Sequence, residues 1–161
     1  QSGEFLQRLN RPVCYHELHK REGNDLSLLF RLRELFRRTK IDIVHTRNWG
    51  GFDGVLAACL TRGPVLIHGE HGRDLADPEG TKKHRNLARR TLAFRTKKVV
   101  AVSNDLYRWL KDNVQVPETK LVFIPNGVDT DHFQPGRNTL LRKQLGIGQD
   151  EFVIGTVSRL G

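Results

Sequence analysis

Methionine is absent from the 161 residues, so the chain does not start at an initiator, and a fragment with interrupted elements at both ends is expected. Cysteine occurs only as Cys14 and Cys59. They lie in unrelated contexts without a metal-pair spacing, which favours buried thiols in a reducing cytosol over a thiolate metal site. No apolar run approaches the roughly 18 residues of a membrane span, and nothing resembles a signal peptide, so a soluble cytoplasmic chain is expected. Acidic residues are outnumbered: 27 Lys and Arg against 18 Asp and Glu give a formal net charge of +9. That charge favours partners bearing phosphate, whether nucleic acid, a membrane surface or a nucleotide-linked substrate. It concentrates in "RLRELFRRTK" (31–40) and "KKHRNLARRTLAFRTKK" (82–98), each of which reads first as a solvated helix face. A hydrophobic content of 37%, spread along the chain, argues against a disordered chain, and the length allows one domain with a core, or one domain plus part of a second.

Apolar periodicity orders the elements. From Asp25, Leu28, Leu32, Leu35 and Phe36 recur at helical spacing, with Asn24 or Asp25 able to cap. "IDIVH" (41–45) reads as a strand, and "GGFDGVLAACLTRG" as a helix whose small residues Gly54, Ala57 and Ala58 allow close packing on a sheet. The unit repeats with a strand at "PVLIH" (64–68) and a helix over 82–95. It repeats again with a strand at "KVVAV" (98–102) and a helix capped by Ser103, then closes with a strand at "KLVFI" (120–124). An earlier strand is expected at about 12–16. Continuous apolar strands alternating with helices indicate a doubly wound α/β fold, a parallel sheet covered on both faces. The Pro- and Gly-rich "PNGVDTDHFQPG" (125–136) reads as a linker after a first domain over 1–124. Residues 137–161 then begin a second domain, with a helix in "RNTLLRKQLGI" and a new strand in "EFVIGTVSRLG".

Ligands of an open parallel sheet bind beyond the carboxyl ends of its strands, and here polar loops follow each strand. "HGEHGRD" (68–74) is not a zincin site: it lacks the helical His-Glu-x-x-His spacing and an obvious third ligand, so no metal is expected. A histidine at a strand's carboxyl end, His68 or His71, can act as a base, anchor a substrate hydroxyl, or simply be hydrogen-bonded within the loop. In "HTRNWGG", Arg47 offers a fork for phosphate or carboxylate, Asn48 a hydrogen-bonding group and Trp49 a stacking surface. The same residues also suit a plain helix-entry turn with a partly buried tryptophan. "GTVSRLG" is no Walker motif.

"KLVFIPNGVDTDHFQP", preceded by "VVAVSNDLYRWL", resembles the middle of the GT-B retaining glycosyltransferases of family 4, the group 1 glycosyltransferases. "IDIVHTRNW", "PVLIHGEHGRD" and "FVIGTVSRLG" keep that family's order, so the likeness covers residues 12–161. "LHKREGND", "DIVHTRNW" and "GEHGRD" look especially like bacterial sugar transferases associated with exopolysaccharide. The resemblance implies an incomplete Rossmann-like, acceptor-side N-terminal domain of a GT-B fold and the start of a donor-binding domain. The implied activity is transfer of a sugar from a nucleotide-sugar donor to a sugar or lipid-linked acceptor, in polysaccharide or glycolipid synthesis, with anomeric retention. The nucleotide-sugar is a substrate, and no cofactor is implied.

By the same resemblance His71 matches the histidine near the sugar and acceptor, with His68 its rival, and Arg159 matches the arginine that holds the donor diphosphate. Arg47, Asn48, Trp49, His68, Arg73, Asn126 and Gly127 fall on the acceptor and substrate loops. This chain alone is expected to be inactive, since the family's lysine and paired glutamates would follow Gly161. The basic helices imply peripheral contact with anionic lipid at the inner face of the cell membrane. A basic α/β module that binds nucleic acid is the competing reading, opposed because Trp109 and Phe94 fall on apolar faces and no nucleic-acid motif is present. A non-catalytic scaffold is the third.

Overall fold

Asp25 opens the first helix, α1 (Leu26–Thr39), by accepting a hydrogen bond from the Leu28 amide through its side chain. That caps one of the amide groups left without a partner at a helix start. The same carboxylate is held low, at about 2, first by the Ser27 hydroxyl and then by the Arg21 amide. In the computed structural model the described residues are 13–156 apart from 22, 24, 62, 75 and 137. They form two compact units that divide between Asn126 and Gly127.

In the first unit β1 (Ile43–Arg47), β2 (Val65–Glu70), β3 (Lys98–Ala101) and β4 (Leu121–Phe123) make one parallel sheet in the order β1-β2-β3-β4. The α/β class and the parallel sheet expected from the sequence are both present. Between the strands run α2 (Phe52–Leu60), α3 (Lys83–Ala93) and α4 (Asn104–Asp112), and the Ser103 side chain accepts from the Leu106 amide to cap α4.

The register Val44↔Leu66, His68↔Val99, Val99↔Leu121 sets these side chains on one face of the sheet. Val55 of α2 and Leu92 of α3 pack with Val44 and Leu66. Trp109 and Leu110 of α4 pack with Val99, Ala101 and Leu121. All three helices therefore lie on that face, as right-handed crossovers along a sequential strand order require. Phe36 of α1 joins the same layer at the β1 side. On the opposite face Ile43 and Val65 are exposed. Among the described residues the expected helical cover is thus found on one face of the sheet.

Four local expectations are corrected. Residues 13–16 carry no strand, and Cys14 is exposed while Cys59 is half-buried. Phe94 lies just past the end of α3 and is exposed instead of covering an apolar face. In the second unit α5 (Thr139–Gln144) forms, with the Asn138 side chain accepting from the Leu141 amide, but residues 151–156 form no strand. A strand is defined by its ladder partner and not by its own sequence. No such partner lies beside this stretch among the described residues, and Phe152 and Ile154 are exposed.

Candidate active site

The carboxyl ends of β1 and β2 deliver two loops to one edge. After Arg47 the chain turns through Asn48, whose φ of 52° is left-handed. A residue with a Cβ tolerates that only where its surroundings hold it. Two bonds do so: the Asn48 amide donates to the Gly69 carbonyl at 2.8 Å, and Asn48 Oδ1 accepts from the His71 amide at 2.7 Å. Asn48 therefore ties the β1 loop to the β2 loop. The Arg47 guanidinium Nη2 then donates to His71 Nδ1 at 3.1 Å.

A guanidinium can only donate, so Nδ1 of His71 is the acceptor and the neutral ring carries its proton on Nε2. Burial, the Arg47 charge and the neighbouring His45 hold the His71 pKa below the ordinary imidazole value. The ring is therefore neutral near pH 7 and presents Nε2–H, a hydrogen-bond donor suited to a sugar or phosphate oxygen and not a vacant base. Gly69 makes the space for it, because a Cβ there would lie 3.0 Å from His71 Nε2 and 3.3 Å from His45 Nε2.

The depressed pKa has a consequence for stability. The unfolded imidazole takes a proton near its usual 6.5 while the folded one resists it, so stability is full above that value and falls as pH drops toward the folded pKa. Urea midpoints measured above and below pH 6.5 should drop less on acidification in His71→Asn than in the wild type; parallel drops would refute the assignment.

Beneath this loop lies a charged network that sequence reading did not anticipate. Glu70 is fully buried, and its Oε1 accepts from Arg89 Nε at 2.7 Å. His68, only 5% exposed, sits with Nε2 at 3.4 Å from the same oxygen and Nδ1 at 2.8 Å from Thr46 Oγ1. The Arg89 guanidinium stacks over Trp49 at 5.0 Å and Trp109 at 5.1 Å. Arg89 thereby touches the residue before His71 and the residue after Asn48. A signal did exist: Arg85, Arg89, Leu92 and Ala93 share one helical stripe, so an arginine was due to turn inward.

Of the expected site residues, Arg47, Asn48 and His71 meet at the edge, while the Trp49 ring packs against Phe52, with centroids 4.4 Å apart, and under the Arg85 and Arg89 guanidinium groups. His68 belongs to the buried layer under the loop. Arg73 pairs with Asp105 at 2.8 Å and lies over Trp109, which ties the β2 loop to α4. Asn126 and Gly127 are exposed where the chain divides, and Arg159 lies outside the described residues. No three His, Cys, Asp or Glu side chains are grouped as metal ligands among the described residues.

This geometry meets comparison with known proteins. The model of Glycosyltransferase Family 4 matches residues 2–132. The chain is 32% identical over 143 residues to an Escherichia coli UDP-Gal:alpha-D-GlcNAc-diphosphoundecaprenol alpha-1,3-galactosyltransferase, covering 84% of this chain and 36% of that protein. It is 28% identical to the Staphylococcus aureus capsular polysaccharide biosynthesis glycosyltransferase CapM, covering 98% and 44%. A crystal structure of a glycosyltransferase from Rickettsia africae superposes with a TM-score of 0.67 at 25% identity, covering 92% of this chain and 40% of the other. The chain thus spans less than half the length of these relatives. With the family model matching most of its length, the chain belongs to glycosyltransferase family 4.

Proposed function

We propose that the protein carrying this chain transfers a glycosyl group from a nucleotide-sugar to a sugar or lipid-linked acceptor during polysaccharide or glycolipid synthesis, with retention at the anomeric carbon. In this reading residues 1–124 receive the acceptor, 125–136 link, and 137–161 begin the donor-binding domain. The observation that carries it is the edge where Arg47, Asn48 and His71 converge. There a neutral imidazole and a cationic fork are held together by hydrogen bonds, a pairing suited to orienting a sugar hydroxyl beside a phosphate. His71 therefore serves as an orienting donor.

Assayed in the native protein with nucleotide-sugars and a sugar-diphosphate-lipid acceptor, His71→Ala should lower transfer by about 10- to 100-fold, the loss of one hydrogen bond to a charged or reacting group. Wild-type product analysed by proton coupling at the anomeric carbon should keep the donor's configuration. Unchanged turnover in the variant removes His71 from the site, and an inverted product removes retention. The basic helices α1 and α3 further support peripheral attachment to anionic lipid, and no helix among the described residues is long and apolar enough to cross a membrane. Sedimentation with vesicles that does not depend on their anionic content would reject the attachment.

A further inference from the structure

His45 is exposed on β1 and, among the described residues, makes no hydrogen bond. It lies two residues before Arg47, so strand alternation sets both on the face turned away from the helices. Gly69, opposite Arg47 in the ladder, belongs to the same face. Over that glycine two imidazoles close in: a Cβ on Gly69 would lie 3.0 Å from His71 Nε2 and 3.3 Å from His45 Nε2. Both nitrogens thus lie within 3.3 Å of one point. A single oxygen, at ordinary hydrogen-bond distances of about 2.7–3.2 Å, can reach the two together.

The chemistry of the pair is asymmetric. Arg47 holds His71 with Nδ1 as acceptor, so Nε2 of His71 carries the proton and donates. A protonated nitrogen is no metal ligand, and the guanidinium on the same ring repels a cation. No hydrogen bond fixes the tautomer of His45 among the described residues, so its Nε2 is free to accept. A donor and an acceptor beside one point match a hydroxyl, which takes one hydrogen bond and gives one. A phosphate oxygen only takes.

We propose that His45 is a second sugar-contacting residue, and that one sugar hydroxyl is held beside Gly69, its oxygen accepting from His71 Nε2 and its O–H donating to His45 Nε2. This rests on the reading of the edge as a sugar-transfer site. The added bond selects sugars that carry a hydroxyl at that position, because without it a polar group of the site is left unpaired.

The test is His45→Phe and His45→Gln in the native protein, with calorimetric affinities for the nucleotide-sugar, for the sugar-diphosphate-lipid acceptor and for a monodeoxy series of each sugar. Phe keeps a flat ring at an exposed strand position, so the melting temperature should stay within about 2 °C of wild type, but it accepts no hydrogen bond. His45→Phe should weaken binding of the substrate that bears the hydroxyl by about 5- to 10-fold. His45→Gln, whose amide oxygen can accept in place of Nε2, should stay within about 3-fold of wild type. For the monodeoxy sugar that lacks the held hydroxyl, wild type and His45→Phe should bind equally, and whether that sugar is a donor or an acceptor tells which substrate is held. Unchanged affinity of His45→Phe for both full substrates, or a loss of the same size for every monodeoxy sugar, overturns the role of His45 and leaves the transfer reading intact. A wild type that binds neither substrate overturns the transfer reading and this inference with it.

Discussion

Arg89→Ala should destabilise the fold by about 3–5 kcal/mol, among the largest effects available to a single substitution here. The reason is the partner left behind. Glu70 is fully buried, its Oε1 would lose the 2.7 Å bond from Arg89 Nε, and its Oε2 already has no hydrogen-bond partner among the described residues. A carboxylate left in that layer with only the 3.4 Å contact from His68 costs more than the ion pair contributed. Trp49 and Trp109 would also lose the cation stacked between them, each such contact being worth on the order of 1 kcal/mol.

The double replacement Glu70→Leu with Arg89→Met separates stability from function. With no charge left to strand, urea unfolding should recover to within about 1–2 kcal/mol of wild type. Transfer should not recover fully, because the Asn48 bonds remain but the Arg89 anchor that joins Glu70 to Trp49 beneath the loop is gone. A double variant as unstable as Arg89→Ala alone would mean that packing, and not the unpaired charge, decides the cost.

Much of this could be read before any coordinates. The short apolar runs at 41–45, 64–68, 98–102 and 120–124 mark the strands found at 43–47, 65–70, 98–101 and 121–123, and Asp25 and Ser103 cap where a short polar side chain precedes a helical stripe. Those are local signals, set by neighbours within one or two turns. The pairing of Arg47 with His71 was only half legible. Both residues stood out, but their contact depends on β1 and β2 lying in parallel register with Arg47 opposite Gly69.

The failures have the same origin. The stretch 151–156 looks like a strand because its side chains suit one, and a strand needs a partner that composition cannot supply. Glu70 and Arg89 lie 19 residues apart on a strand and a helix. Each alone reads as a solvated charge, and only their burial together makes them a structural pair. Gly80 went unnoticed because "PEG" looks like any turn.

That turn carries the second large effect. Gly80→Ala should cost about 3 kcal/mol or more and lower the melting temperature by roughly 10 °C. Two penalties act together. Gly80 has φ of 65°, a left-handed conformation that costs a residue with a Cβ about 1 kcal/mol. Its new Cβ would lie 2.5 Å from Trp109 Nε1 and 2.7 Å from Cε2, and Trp109 is a core residue only 4% exposed that cannot step aside. The clash also breaks the bond by which Trp109 Nε1 donates to the Gly80 carbonyl at 3.1 Å, leaving a buried donor unpaired. Gly72→Ala in the same loop is the control, since a Cβ there meets nothing within 4 Å, and it should be nearly silent. Because Trp109 stacks on both Arg73 and Arg89, the displacement at Gly80 should reach the loop that holds His71. The variant should then lose transfer even at temperatures where it remains folded. Wild-type activity in a folded Gly80→Ala protein would show that Trp109 supports the core without setting the geometry of the edge.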